Sequence, residues 1–132
     1  MIVPNKDLFT LSGLQKWKCI CSVLLKDTIT FDKGEKRFNI VHIKPNQVPN
    51  GKFIVLKYLD TENECKSFES YICTRLVTFL ICAGICGETL TEELFRFVPD
   101  PGSFDHIFDD EELYRKYSIT SEEIKIIELG IK

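Results

Sequence analysis

The sequence has no apolar run of the ~20 residues that a membrane-spanning helix requires. Its N-terminal stretch, MIVPNKDLFTLSGLQKWK, also lacks the continuous apolar segment of a secretory signal. These two absences favour a cytoplasmic protein with no membrane partner. With 44% hydrophobic and 28% charged residues, the composition is typical of a globular domain, and we expect residues 1–132 to form a single domain.

Motifs that mark metal, nucleotide and methylase sites are also missing. There is no C-x-x-C pair, and neither His42 nor His106 lies at zinc-ligand spacing from a cysteine. The glycines form neither G-x-x-x-x-G-K nor G-x-G-x-x-G, and no N/D-P-P-Y/F methylase motif occurs. We therefore expect no metal site, no cofactor and no catalytic residue within this chain.

Cysteine is abundant, but its placement argues against a disulfide framework. The six positions are Cys19, Cys21, Cys65, Cys73, Cys82 and Cys86. Most of the last four fall inside one helical pattern, where a free cysteine packs as a small hydrophobic residue. We expect free thiols, as in a compartment that keeps them reduced.

Charge divides the chain into a basic half and an acidic half. Residues 1–59 carry ten basic and four acidic side chains, a balance of +6. Residues 60–132 carry seven basic and sixteen acidic side chains, a balance of −9. Such asymmetry suggests that the first half binds a polyanion. The alternative is that edge strands expose lysine to discourage aggregation.

The basic half reads as strands separated by turns. Alternating apolar residues predict a strand from Lys16 to Lys26 that turns Lys18 towards solvent, and a second strand covers 28–31. A turn at 32–35 precedes a strand over 37–44. After a loop over 45–51, residues 52–59 form the most apolar strand, which we expect at the centre of the sheet.

The acidic half reads as mainly helical. Thr61 and Glu64 form a capping box, and apolar residues recurring every three or four positions predict one long helix that stops at Gly84 and Gly87. A short strand is expected over 94–98, followed by two small helices, the second beginning with a capping box at Thr120 and Glu123. The predicted fold is therefore α+β: an antiparallel sheet, one long packed helix and two small C-terminal helices.

Nucleic-acid binding is the function that the basic half favours. Lysine and arginine on strands and turns can contact phosphates, and asparagine, glutamine and arginine can hydrogen-bond to base edges. Arg37, Asn39, Asn46, Gln47 and Asn50 are available for base contacts. The predicted DNA-binding residues are Lys16, Lys18, Lys33, Lys36, Arg37, Lys44, Asn46 and Lys52.

A metal-dependent endonuclease is the alternative from another class. Asp100 and Asp109 with Glu123-x-Lys125 provide carboxylates and a lysine of the type such enzymes use. Those groups normally project from adjacent strands, whereas these positions also suit helix caps and a solvated acidic tail. A third possibility is a protein-interaction module whose acidic tail docks to a methylase or nuclease subunit.

Residues 60–132 contain an ordered set of short motifs. They are Asn63-Glu64-Cys65 and the segments 70–80, 95–100, 110–117, 120–124, 127–128 and 131–132. This order resembles the C-terminal target-recognition region of bacterial type II restriction–modification proteins, which carry adenine methylation and DNA cleavage on one chain. The chain departs from that pattern at Thr78, at residues 82–86 and at Phe108, where the family has more basic residues or tryptophan.

The resemblance implies a fragment of a longer enzyme. In such a protein the methylase domain precedes this segment, and the segment would recognise the DNA target or support its recognition without being catalytic itself. Its partners would be double-stranded DNA and the methylase or endonuclease domains of the same or a partner chain.

Overall fold

The computed structural model describes residues 11–48, 52–85 and 92–132. The strands are β1 (Trp17–Ser22), β2 (Ile29–Asp32), β3 (Glu35–Phe38), β4 (Val41–Ile43) and β5 (Phe53–Leu59). The α-helices are α1 (Leu11–Leu14), α2 (Leu25–Thr28), α3 (Glu62–Ile72), α4 (Arg75–Ala83), α5 (Asp110–Lys116) and α6 (Ser121–Gly130). A 3₁₀ helix covers Glu92–Phe97. The predicted α+β class with antiparallel sheets is confirmed.

The main sheet has three antiparallel strands in the order β4–β1–β5. The prediction that 52–59 lies at the centre is wrong, because β1 occupies that place. Ile54, Val55 and Leu56 are buried one after another, so both faces of β5 are covered. A run of apolar residues indicates that both faces of a strand are covered. It does not indicate where the strand lies in its sheet.

The predicted strand over 37–44 is divided between two sheets. Its first part, β3, pairs with β2 in a two-stranded hairpin, and its second part, β4, pairs with β1. β3 ends at Phe38 and β4 begins at Val41, and between them the Asn39 backbone N–H donates to the Thr28 carbonyl at 2.7 Å. The pattern of side chains is continuous through this point, so periodicity alone could not show the break.

The predicted long helix is two helices. α3 ends at Ile72, and Thr74 has an extended backbone, with φ −64° and a ψ of 156° that lies outside the helical range. The Thr74 hydroxyl accepts from the Val77 backbone N–H at 3.4 Å and donates to the Tyr71 carbonyl at 2.8 Å. A threonine side chain can thus replace helical hydrogen bonds with a cap, which ends one helix and starts the next.

The predicted strand over 94–98 is wrong, because the segment is the 3₁₀ helix. Phe95 and Val98 are completely buried, whereas Arg96 and Phe97 between them are exposed. That spacing of three matches the 3.0 residues per turn of a 3₁₀ helix, whereas a strand would bury every second residue.

The two small C-terminal helices are confirmed as α5 and α6. Thr120 caps α6 with the predicted capping box: its hydroxyl accepts from the Glu123 N–H, and the Glu123 carboxylate accepts from the Thr120 N–H. α5 begins in the same manner at Asp109, whose carboxylate accepts from the Glu112 N–H at 2.8 Å.

The core lies between the main sheet and the helices. From α3, Cys65, Phe68, Tyr71 and Ile72 are completely buried in one cluster with residues of β1, β5, α4, α5 and α6. The five cysteines that the structure describes are free thiols, as predicted, and Cys86 lies outside the described residues. No described helix combines the length and apolar character needed to cross a bilayer.

Replacing Thr74 by alanine tests the cap between α3 and α4. We expect Thr74→Ala to lower the free energy of unfolding by about 1–2 kcal/mol, because the Val77 N–H loses its partner. Thr74→Ser is the matched control, since serine keeps the hydroxyl and should lose less. Urea denaturation of the three proteins measures both changes, and equal stability of the alanine variant and the wild type would contradict the cap.

Candidate nucleic-acid interface

The β2–β3 hairpin brings together three of the predicted DNA-binding residues. Its register pairs Ile29 with Phe38, Thr30 with Arg37, Phe31 with Lys36 and Asp32 with Glu35. The two turn residues, Lys33 and Gly34, both have positive φ, 53° and 82°. This is the type I′ geometry that suits two-residue hairpins, and it places Lys33 at the tip.

The period of two along each strand gives the hairpin two different faces. One face carries Ile29 and Phe38 at its base, with Phe31 and Lys36 further out. Phe38 is completely buried and its ring meets that of Phe95 edge-on, with centroids 5.9 Å apart. The base of the hairpin is therefore anchored in the core, while Phe31, Lys33 and Gly34 are exposed.

The opposite face carries Thr30, Asp32, Glu35 and Arg37, and its charges are largely paired. Arg37 lies 3.2 Å from the Asp32 carboxylate. Lys36 and Arg37, although adjacent in sequence, therefore lie on opposite faces. Lys33 and Lys36 form no ion pair with any residue in the described part of the chain.

A polar groove of about 370 Å³ runs beside this second face. Arg75, the first residue of α4, connects elements that line this groove. Its guanidinium lies 3.0 Å from the Glu35 carboxylate on β3 and 3.1 Å from the Glu128 carboxylate on α6. The Arg75 backbone N–H donates to the Asp110 carboxylate at 2.7 Å. These carboxylates neutralise the positive charge of Arg75, and the contacts hold the hairpin against the helices.

Lys18 is not a surface lysine, so its predicted exposure is wrong. Its side chain is completely buried, and its ammonium donates to the carbonyls of Lys16 at 2.8 Å, Leu14 at 3.1 Å and Lys44 at 3.5 Å. Burial lowers the pKa of Lys18. Alternation along β1 predicted a solvent face, but β1 is central and Ile20 on it is buried as well.

The remaining predicted DNA-binding residues lie in two further places. Lys16, Lys44 and Asn46 surround Lys18: Lys16 is paired with Asp60 at 3.4 Å, and the Asn46 N–H donates to the Leu14 carbonyl at 2.7 Å. Lys52 precedes β5 at the end that pairs with Ser22. Because β1 has six residues, it separates Lys52 from the Lys16 end by roughly 17 Å.

Two of the base-reading candidates have other partners or fall outside the described chain. The Asn39 side-chain amide donates to the Asp27 carbonyl at 3.4 Å and its oxygen lies 3.4 Å from the Thr30 hydroxyl. Asn50, in the last part of the predicted loop over 45–51, lies outside the described residues.

The carboxylates of the endonuclease alternative each serve a local turn or cap. Asp100 accepts from the Gly102 N–H at 2.8 Å, Asp109 caps α5, and Glu123 completes the capping box of α6. Among the described residues, no three histidine, cysteine, aspartate or glutamate side chains are grouped so that they could hold a metal ion.

Sequence reasoning missed the surroundings of His106. The two ring nitrogens of His106 each lie 2.7 Å from a carboxylate, Nδ1 from Asp105 and Nε2 from Glu112. The loop that carries it lines a cavity of about 670 Å³ next to the start of α3. Hydrogen bonds with Asp105 and Glu112 raise the pKa of His106, and the bond with His106 lowers the pKa of Asp105. Asp105 is adjacent to His106 in the sequence and so could have indicated this contact. Glu112, the partner on α5, is six residues away and could not.

The pH dependence of stability tests this histidine. Its raised pKa stabilises the fold fully below about pH 6.5, the unfolded value, and that contribution disappears as pH rises through the folded pKa. The lowered pKa of Asp105 adds a contribution that disappears as pH falls below about 4. We expect His106→Gln to lower the melting temperature most between these limits and less at pH 9. A difference that stays constant from pH 3 to pH 9 would contradict this pairing.

Comparisons with known proteins add no family to this description. No family model, no curated protein and no solved structure matches the chain. The resemblance to restriction–modification proteins therefore depends on the motifs in residues 60–132.

Proposed function

We propose that this domain binds double-stranded DNA as the target-recognition module, or a support for it, of a bacterial type II restriction–modification enzyme. It is not catalytic by itself in this proposal. The methylase and endonuclease domains, on the same or a partner chain, supply the chemistry. Such an enzyme acts in the cytoplasm, which agrees with five free thiols.

The β2–β3 hairpin is the observation that carries the proposal. It is a two-stranded antiparallel ribbon with lysine at its tip and on one face. The major groove of B-DNA, about 12 Å wide, admits a ribbon of this kind. Phe38 fixes the base of the ribbon in the core, and Arg75 pairs with Glu35 beside the turn, so the exposed Phe31 and Lys33 can face a groove without losing these contacts.

The unpaired charges favour the tip of the ribbon over the remaining predicted positions. Lys33 and Lys36 have no carboxylate partner among the described residues, whereas Arg37 and Lys16 do. An ammonium without a partner gives up no existing ion pair when it meets a phosphate. Lys33 and Lys36 are therefore assigned to phosphates, and Arg37 contacts DNA only if Asp32 releases it.

A salt titration of DNA binding tests the proposal. We expect a duplex to form a complex at 50 mM salt that weakens steeply as the salt concentration rises. Replacing Lys33 and Lys36 together by alanine should reduce the slope of log K against log salt by about 2, roughly one for each lost phosphate contact. Electrophoretic mobility shift or fluorescence anisotropy measures the slope.

Lys66 and Lys125 provide a matched control. Both are exposed lysines of the acidic half, on α3 and α6, so their double alanine variant removes the same charge from helix surfaces outside the ribbon. Its salt slope should equal that of the wild type. Equal loss in both double variants would mean that net charge, and not the ribbon, determines binding. No complex at 50 mM salt would refute DNA binding altogether.

A further inference from the structure

Phe31 is an exposed aromatic residue on the ribbon. Its side chain is 67% exposed, whereas Ile29 and Phe38 on the same face pack into or against the core. A single exposed hydrophobic residue is common on protein surfaces and needs no function by itself. The position of Phe31 among the charges of the ribbon is what distinguishes it.

Two lysines without an ion-pair partner among the described residues are neighbours of Phe31 on the ribbon. Lys36 is its direct cross-strand partner, so the two Cβ atoms lie about 5 Å apart on one face. Lys33 follows two residues later, at the tip. An exposed apolar ring on the same short ribbon as two lysines matches the chemistry of a nucleotide, which has a flat base next to phosphates.

We infer that Phe31 stacks on an unstacked base of bound DNA while Lys33 and Lys36 hold the adjacent phosphates. This inference rests on the proposed DNA-binding function and adds a base contact to it. Aromatic side chains on DNA-binding surfaces stack on exposed bases or wedge between base steps, and this contact tolerates many sequences. Phe31 then adds affinity without adding to the salt dependence, because it carries no charge.

The inference makes the partner a DNA with an accessible base. A fully paired duplex must unstack a base step before the ring can reach a base, which opposes binding. A duplex with one unpaired base offers that surface already. The domain should therefore bind the duplex with the unpaired base more tightly than the same duplex fully paired.

Phe97 supplies a matched control for the ring. It is 74% exposed and lies on the 3₁₀ helix, away from the ribbon strands in sequence. Phe31→Ala and Phe97→Ala thus remove similarly exposed rings from two different elements. Because both rings are exposed, neither variant should change the melting temperature appreciably, and thermal unfolding verifies this first.

The experiment measures binding to a duplex that carries one unpaired 2-aminopurine, a fluorescent base that is quenched on stacking. We expect Phe31→Ala to weaken binding at least about fivefold at constant salt slope and to abolish the quenching. Phe31→Trp should preserve both, and Phe97→Ala should behave as the wild type.

The outcomes separate this inference from the proposed function. If the wild type binds DNA with the salt slope that depends on Lys33 and Lys36, but Phe31→Ala binds equally well, the stacking inference alone is overturned. Equal losses in Phe31→Ala and Phe97→Ala also overturn it, since they indicate general apolar adhesion. If the wild type binds no DNA, both proposals fail together.

Discussion

The position of the ribbon depends on Arg75. This guanidinium joins β3 through Glu35 and α6 through Glu128, and the backbone of the same residue joins α5 through Asp110. The residue can do this only because Thr74 ends the preceding helix and places Arg75 at the start of α4. A single continuous helix would have engaged the Arg75 N–H in its own ladder, leaving Asp110 without this partner. The break between α3 and α4 is therefore a condition for the hydrogen bond between the Arg75 backbone and Asp110 of α5.

Local features of the fold could be predicted from the sequence, and non-local ones could not. The hairpin turn at Lys33 and Gly34 and the capping box at Thr120 are decided by neighbouring residues, so the chain reveals them directly. The division of 37–44 between two sheets depends on which strands the two parts meet, and the burial of Lys18 depends on what covers the second face of β1. A period of two in the side-chain pattern indicates a strand, but it does not indicate which elements lie beside that strand.

The candidate interface shows the same limit. Charge alone indicated Lys33 and Lys36, and a period of two already implied that Lys36 and Arg37 point to opposite faces. Two ion pairs could not be predicted from the sequence, because they cross a turn or join distant residues. They are Arg37 with Asp32 and Lys16 with Asp60. Phe31 was overlooked because an aromatic residue in a strand pattern is usually buried, and its exposure depends on the hairpin standing outside the main sheet.

The two faces of the ribbon also restrict how its length can change in evolution. Inserting one residue into β2 or β3 beyond the anchored base would rotate every later side chain to the other face, unless a bulge absorbed it. Phe31 would then share a face with Glu35 instead of Lys36. Paired insertions of two residues in each strand would keep opposite partners matched, keep Phe31 and Lys36 on the face of Phe38 and move only the tip outward. We expect relatives to vary the reach of this hairpin in such matched steps, with the Phe38 anchor unchanged.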